Sequence, residues 1–317
     1  MEQNSKTTLK AMIFIGNGFD VAHGYKTKYK DFYANSIELK ELASKGNVLC
    51  QHILANVKGD LWQDLECGLY EYSKSLTLKY GEGDKISSTN FKHEFNELRS
   101  ALFNYLKKAS NVSVMNNPGY FVGELSKEWA RLDYQIVSFN YTTIVAAYTN
   151  DANLYSSNLS FNKEKLIYQH GSIYNPERGF DNTAESIIVV GIDDSQKVER
   201  LHSFLYKSLQ KVSDVTDLVD SMKEKDVYIV FGCSMGPSDH NYFSTLFDGN
   251  MQNKTYIIYG HGNDALDSIK GYVMEYTGGI YDFQSENHNK IFFIDDSVQH
   301  NAMSETKKII ERALLLQ

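Results

Sequence analysis

Ala11-Met12-Ile13-Phe14-Ile15-Gly16-Asn17-Gly18-Phe19-Asp20-Val21-Ala22-His23-Gly24 decides the fold by its order of residue types. Apolar residues run from Ala11 to Ile15 without a polar break, which suits a strand buried on both faces, and such strands belong to parallel sheets. The run ends in Gly16 and Gly18, where a tight turn brings in a helix whose first N–H groups and positive dipole end face an anion. Spacing separates this loop from the GxGxxG dinucleotide fingerprint, because Val21 stands where the third glycine belongs. Asp20 has two readings. It is either a helix N-cap accepting N–H bonds from the next turn, or a partner for ribose hydroxyls or developing positive charge. Gly16, Asn17, Gly18, Phe19 and Asp20 therefore form the first candidate nucleotide-binding segment.

Outward from this stretch, short β-branched or aromatic runs predict further strands at Gln135 to Phe139, Leu166 to Gln169, Ile187 to Val190, Val227 to Phe231, Thr255 to Tyr259 and Ile291 to Ile294. Between the first two strands the period changes to that of a helix. Phe91, Phe95, Leu98, Leu102 and Tyr105 recur at spacings of three and four, as do Leu61, Trp62, Leu65, Leu69 and Tyr72. Val198, Leu201, Leu205, Leu209 and Val212 predict a later helix, and Asp264 to Tyr276 another. Strands alternating with helices give an α/β class, a doubly wound and mostly parallel Rossmann-like sheet. The expected organisation is a nucleotide-binding core at 11–37 and 132–317, interrupted by a helical insertion at 38–131.

Composition narrows the function. Forty acidic against 32 basic side chains leave a net charge of -8 in 317 residues, so the clustered Lys and Arg that neutralise a phosphate backbone are missing and a nucleic-acid partner is not expected. A chain of this length buries a sizeable core without staples. Cys50, Cys67 and Cys233 are an odd number with no CxxC pair, which argues for reduced thiols, a cytoplasmic location and three core fillers. The polar start and the lack of an apolar run of roughly 18 residues speak against a membrane span. No HExxH-like spacing joins the histidines, and no metal is assigned.

Three more segments could carry chemistry. Ser138-Phe139-Asn140-Tyr141-Thr142-Thr143 ends the second strand, and the carboxyl ends of parallel strands meet the ligand crevice, so Asn140 either fixes a sugar or a water or caps a helix. Tyr168-Gln169-His170-Gly171-Ser172 places His170 at a strand end, as a catalytic base or as a structural histidine. Gly232-Cys233-Ser234-Met235-Gly236, followed by Asp239, offers a second backbone cradle for ribose or phosphate. It matches the GxSxG nucleophile elbow only formally, because Pro237 interrupts the start of the helix. In Trp62-Gln63-Asp64-Leu65-Glu66, Glu66 borders the apolar stripe, where it either pairs with a base or projects into a site.

These segments together resemble the bacteriophage abortive infection AbiH family. The resemblance rests on IGNGFDVAHGYKTKYKDF from Ile15, WQDLE at 62–66, SFNYTT at 138–143, QHGS at 169–172 and VFGCSMGPSDHNYF at 230–243. It implies a role in bacterial defence, by killing or arresting an infected cell. More distantly, the order of glycine loop, Asn, His-Gly and Gly-x-Ser resembles the sirtuin-like NAD-binding fold. That likeness implies Gly16 and Gly18 as the first glycine turn, Asn140 as the ribose-side asparagine, His170 as the catalytic histidine, and Gly232 with Ser234 as the second cradle. Thr142 stands where sirtuin-like proteins carry Asp, and their four-cysteine zinc module is absent, which points away from deacylation and toward cleavage of NAD by water.

The resulting expectation is an NAD glycohydrolase with His170 as base, Asn140 as holder of water and ribose, and Asp20 or Glu66 as electrostatic support. Gly16, Asn17, Gly18, Phe19, Asp20, Thr142, Gly232, Ser234 and Asp239 would bind the nucleotide. The alternative is a sensor without chemistry, in which a nucleotide alters contacts with a partner or with another copy in a homo-oligomer. A metal-dependent nuclease built on Asp20, Asp64, Glu66 and Asp239 is the third reading.

Overall fold

The computed structural model describes residues 9–56, 62–110, 125, 127–142, 166–173, 188–210, 215–236, 239–247, 254–279 and 290–315. Among them six strands form one parallel sheet: β1 (Lys10–Ile15), β2 (Asp133–Ser138), β3 (Leu166–Tyr168), β4 (Val227–Phe231), β5 (Thr255–Gly260) and β6 (Ile291–Asp295), in the order β3-β2-β1-β4-β5-β6. This is the doubly wound order, with the chain moving outward in one direction from β1 and then in the other from β4.

Strand periodicity explains the two apolar layers. Ala11, Ile13 and Ile15 face one side with Ile136, Ile229, Phe231 and Ile257. Met12 and Phe14 face the other with Val137, Tyr228, Val230 and Ile258. The strands at the middle of the sheet, β1 and β4, are buried from both sides, as the unbroken apolar runs require. The first layer is closed by Ala302 and Ile310 on the helix Gln299–Leu315; the second is closed by Leu218 and Met222 on Val215–Lys223, by Phe243 and Leu246 on His240–Phe247, and by Ile269 and Val273 on Asn263–Tyr276.

Between β1 and β2 the chain forms α1 (Asn17–Ala22), α2 (Tyr29–Asn35), α3 (Ile37–Ser44), α4 (Val48–Asn56), α5 (Trp62–Tyr80) and α6 (Lys85–Ala109). The stripe Phe91, Phe95, Leu98 and Leu102 of α6 and the stripe Leu65, Leu69 and Tyr72 of α5 pack into one cluster with Tyr29, Phe32 and Leu49. Burying a side chain of this size contributes about 1.5–3 kcal/mol. Asp84 caps α6, accepting the Ser87 N–H at 3.1 Å. Leu61 and Val212 lie outside the described residues.

Three sequence expectations need correction. Ile188 makes only an isolated antiparallel bridge to Gly171, so 188–190 is not a strand of the sheet; Ile187 lies outside the described residues. Its polar groups bond elsewhere: Arg99 donates to Ile188 O, and Val189 N donates to His170 O at 2.8 Å. The helix expected from Val198 onward is instead a pair of 3₁₀ turns, Arg200–Leu205 and Lys207–Gln210, separated by the extended Tyr206. The cause is a crossing: Ile192 N donates to Leu205 O, and a Cβ on Gly191 would collide with that same oxygen. Lastly, Cys67 is exposed on α5, off the Leu65–Leu69–Tyr72 stripe, so it is not core filler; Cys50 is buried and Cys233 half-buried. No helix among the described residues is long and apolar enough to cross a membrane.

Candidate functional site

The direction of the strand order reverses between β1 and β4, and in open α/β sheets this is where a ligand crevice opens at the carboxyl ends. The loops that follow these two strands are in direct contact. Gly16 N donates to Phe231 O and Gly18 N to Gly232 O, both at 2.9 Å. A Cβ on Gly16 would lie 2.5 Å from Gly232 O, and one on Gly18 would lie 2.6 Å from Gly232 Cα. The glycines are thus required by the approach of one loop to the other, and the amides of Gly16 and Gly18 face the β4 loop.

Asn17 opens α1, with Gly16 at the N-cap position and no side-chain cap. Asp20 therefore lies within the helix, and its N-cap reading is corrected. Its buried carboxylate accepts Asn140 Nδ2 at 2.9 Å and Thr142 Oγ1 at 2.8 and 2.9 Å from its two oxygens. Asn140 Nδ2 also donates to Gly16 O at 2.9 Å, so this amide ties β2 to the glycine loop. Thr27 Oγ1 donates to Asn17 Oδ1 at 2.7 Å beside this group. Burial raises the Asp20 carboxyl to about 7 against the lowering effect of the bonds from Thr142, Asn140 and Thr27. Its charge changes near neutral pH.

Period-two alternation continues past the end of β2. Asn140 and Thr142 turn to Asp20, whereas the rings of Phe139 and Tyr141 stand 5.2 and 6.4 Å from the His170 ring. The four residues 139–142 thus serve two polar centres. Thr143 lies outside the described residues.

The second centre contains a run of buried charges. His170 Nε2 lies 3.3 Å from Asp239 Oδ1, Lys207 Nζ lies 3.2 Å from the same oxygen, and Lys207 Nζ lies 2.7 Å from Glu66 Oε1. Asp239 follows β4, whereas His170 follows β3, so the β4 loop reaches back across the ends of β1 and β2. Gln169 Nε2 fixes the same closure by donating to Tyr242 OH at 2.8 Å. The His170–Asp239 approach is not aligned as a regular hydrogen bond, and Gln169 Oε1 has no hydrogen-bond partner among the described residues.

Burial holds the His170 imidazole below its ordinary value, with the Lys207 ammonium in the same direction and the Asp239 carboxylate opposing. Burial would raise the Asp239 carboxyl, but Lys207 and His170 hold it well below the carboxylate range. For Lys207, burial acts to lower the value, and Asp239 with Glu66 outweighs it, so the ammonium stays charged. The centre combines a neutral imidazole with a fixed carboxylate beside it.

The structure brings Asn140, Thr142 and Asp20 into one group, and His170, Asp239 and Glu66 into another through Lys207. Ser234 is exposed, the left-handed residues of its loop are Gly232 (φ 70°) and Met235 (φ 55°) and not the serine, so the nucleophile-elbow geometry is not formed. Pro237 and Ser238 lie outside the described residues. The charge of Asp64 acts on Tyr29. Between Glu66 and Asp239, where a nuclease would place a cation, stands the Lys207 ammonium; among the described residues no group of three or more His, Cys, Asp or Glu could hold a metal ion.

Lys207, Gln169, Tyr141 and Tyr242 escaped sequence reasoning as site residues. Gln169, Tyr141 and Tyr242 lay inside quoted motifs, but Lys207 sits in a stretch read as an amphipathic helix, with no local signal. A family model described as "Bacteriophage abortive infection AbiH" matches residues 12–261, a span that contains every residue of both centres. No curated protein matches the chain.

Proposed function

The chain belongs to the bacteriophage abortive infection AbiH family and so takes part in defence against phage; on that premise we propose that it acts by hydrolysing NAD to nicotinamide and ADP-ribose. The observation that carries this reading is that two buried polar centres, Asp20 with its fixed Asn140 amide and His170 beside Asp239, both lie at the carboxyl edge of a doubly wound sheet.

In the reaction the bond between ribose C1′ and the nicotinamide nitrogen breaks, and its electron pair returns to the ring, so nicotinamide leaves neutral without needing a proton. Positive charge grows on the sugar, and the Asp20 carboxylate stabilises it. Water adds to C1′ and its proton passes to His170, where the imidazolium pairs with Asp239. Asn140 holds Asp20 and the Gly16 loop in register, and its place at the end of β2 suits contact with ribose. Gly16, Gly18, Phe19 and Gly232 would form the floor beneath the pyrophosphate, with Ser234 at its rim.

A second reading, a nucleotide sensor without turnover, is favoured by Thr142, which stands where sirtuin-like proteins carry Asp. Nicotinamide release from NAD by the wild-type protein, lost in His170→Ala and Asn140→Ala, is the expected result. NAD left intact by protein that remains toxic to cells as His170→Ala overturns the hydrolase. Saturable NAD binding without release, with a change in oligomeric state, moves the assignment to the sensor.

A further inference from the structure

Lys207 lies between the two carboxylates of the His170 centre, and neither composition nor motif marks it. Its ammonium lies 2.7 Å from Glu66 on α5 and 3.2 Å from Asp239 Oδ1, the same oxygen that stands 3.3 Å from His170 Nε2. All four side chains are largely buried, so solvent screens these charges little. Lys207 reaches this position because the extended Tyr206 breaks the two 3₁₀ turns, and the second turn is fixed by Gln210 Nε2 donating to Val190 O at 2.6 Å.

We propose that Lys207 is the positioning residue of the His170 centre: it holds Asp239 against the imidazole, and Glu66 sets how much of the Lys207 charge is directed at that carboxylate. The proposal rests on the reading of His170 as the base. Moved away from Lys207, Asp239 would lose one of its two close partners and be free to take a proton, either its own or the one His170 must receive. Held by Lys207, it remains an anion that balances the imidazolium once the base has accepted its proton. Glu66 competes for the same ammonium from the helical layer, so α5 is connected to the base by three contacts. Among the described residues the groups facing His170 are Asp239 from the β4 loop, Lys207 from the 3₁₀ turn, Tyr141 from the end of β2 and Tyr242 from helix His240–Phe247. Glu66, Arg99 and Asp193 act one step further out.

The geometry makes the His170–Asp239 pair respond in opposite directions to the loss of Lys207 and to the loss of Glu66, which damage to the fold would not do. In Lys207→Met the His170–Asp239 pair loses a facing positive charge and takes up its proton at higher pH, by about tenfold or more in proton affinity. In Glu66→Gln the whole Lys207 charge acts on Asp239, and the pair takes up its proton at lower pH. Lys207→Arg keeps the wild-type midpoint. The midpoint is read from the ring ¹⁵N shifts of His170 together with the carboxyl ¹³C shift of Asp239 in the full-length protein, with no dependence on turnover. Nicotinamide release is measured alongside, with Lys207→Met expected to lower kcat at unchanged KM. Should Lys207→Met fail to fold, Glu66→Gln and Lys207→Arg still carry the test. Shifts of the same sign in Glu66→Gln and Lys207→Met, or an unmoved midpoint in Glu66→Gln, overturn the proposal. If the midpoints move as expected while NAD stays intact, Lys207 keeps its role and the hydrolase reading alone fails.

Discussion

Gly18 donates its backbone N–H to the Gly232 carbonyl at 2.9 Å, and this bond joins the loops at which the direction of the strand order reverses. Gly232 has φ +70°, and a Cβ there would stand 2.6 Å from Phe19 N. Left-handed backbone and a backbone clash therefore add at one position. Gly232→Ala is expected to destabilise the protein by about 3 kcal/mol, roughly 1–2 from the conformation and the rest from overpacking. Gly81 supplies the comparison, since it has φ +86° with nothing within 4 Å of its Cβ position, and Gly81→Ala should lose only about 1 kcal/mol. Urea unfolding midpoints decide it. Equal losses in the two variants would show that the loops can move apart.

Asp20 predicts a stability that falls as pH rises. Its folded value is about 7 against 3.8 for the free side chain, so between these limits the folded protein holds a proton that the unfolded chain releases. The contribution is complete below about pH 3.8 and disappears through about pH 7, a span corresponding to roughly 4 kcal/mol. Asp20→Asn cannot titrate and should show a flatter profile, gaining on the wild type from pH 5 to 8 in guanidinium unfolding. A wild-type profile with the same slope as Asp20→Asn would mean that the bonds from Asn140 and Thr142 hold the carboxylate charged throughout.

His170 predicts the opposite dependence for activity. Burial keeps the imidazole neutral below its ordinary value of 6.5, so the base is ready throughout the neutral range. The rate of nicotinamide release should therefore fall in two steps on the acid side, first near pH 7 as the Asp20 carboxylate takes up its proton and again below pH 6.5 as His170 is charged. Removal of the base in His170→Ala should lower kcat by about a hundredfold or more. A step below pH 6.5 that survives in His170→Ala would transfer the proton step to another group.

The sheet was legible because its strands are buried on both faces: five apolar residues from Ala11 to Ile15 and five from Val227 to Phe231 leave little room for a helix. Motifs at strand ends, Asn140, His170 and Asp239, were legible for the same reason, since the carboxyl edge of a parallel sheet gathers them. Lys207 was not, because its neighbours Leu205 and Leu209 carry a helical spacing, and only the crossing of Gly191 with Leu205 O converts that spacing into 3₁₀ turns. Nor did the motif show that Gly16, Gly18 and Gly232 fit against one another. Glycine permits close approach without stating what approaches. The split between the Asp20 and His170 centres was hidden too, although the alternation Phe139, Asn140, Tyr141, Thr142 contained it.

His202 gives the last prediction, away from the sheet. Ser73 Oγ meets its Nδ1 at 2.8 Å and Ser88 Oγ its Nε2 at 3.2 Å, with Phe91 edge-on at 5.1 Å, so this histidine fastens the Arg200–Leu205 turn to both α5 and α6. Burial holds the ring below its ordinary value, and the Glu199 carboxylate opposes this only in part. Because the folded form resists protonation while the unfolded chain accepts it, the contribution is present above pH 6.5 and is lost as pH falls through the folded value. His202→Leu should remove part of the acid sensitivity and, at pH 8, cost about 1–3 kcal/mol, because the buried Ser73 hydroxyl loses its histidine partner while Ser88 keeps Asp84 O. Tyr206 alone separates this turn from Lys207, so a loosened anchor should also reach the His170 centre: the ring ¹⁵N midpoint of His170 should shift toward that of Lys207→Met. A destabilised His202→Leu with an unmoved His170 midpoint would show that the two turns respond independently, with Gln210 alone fixing Lys207.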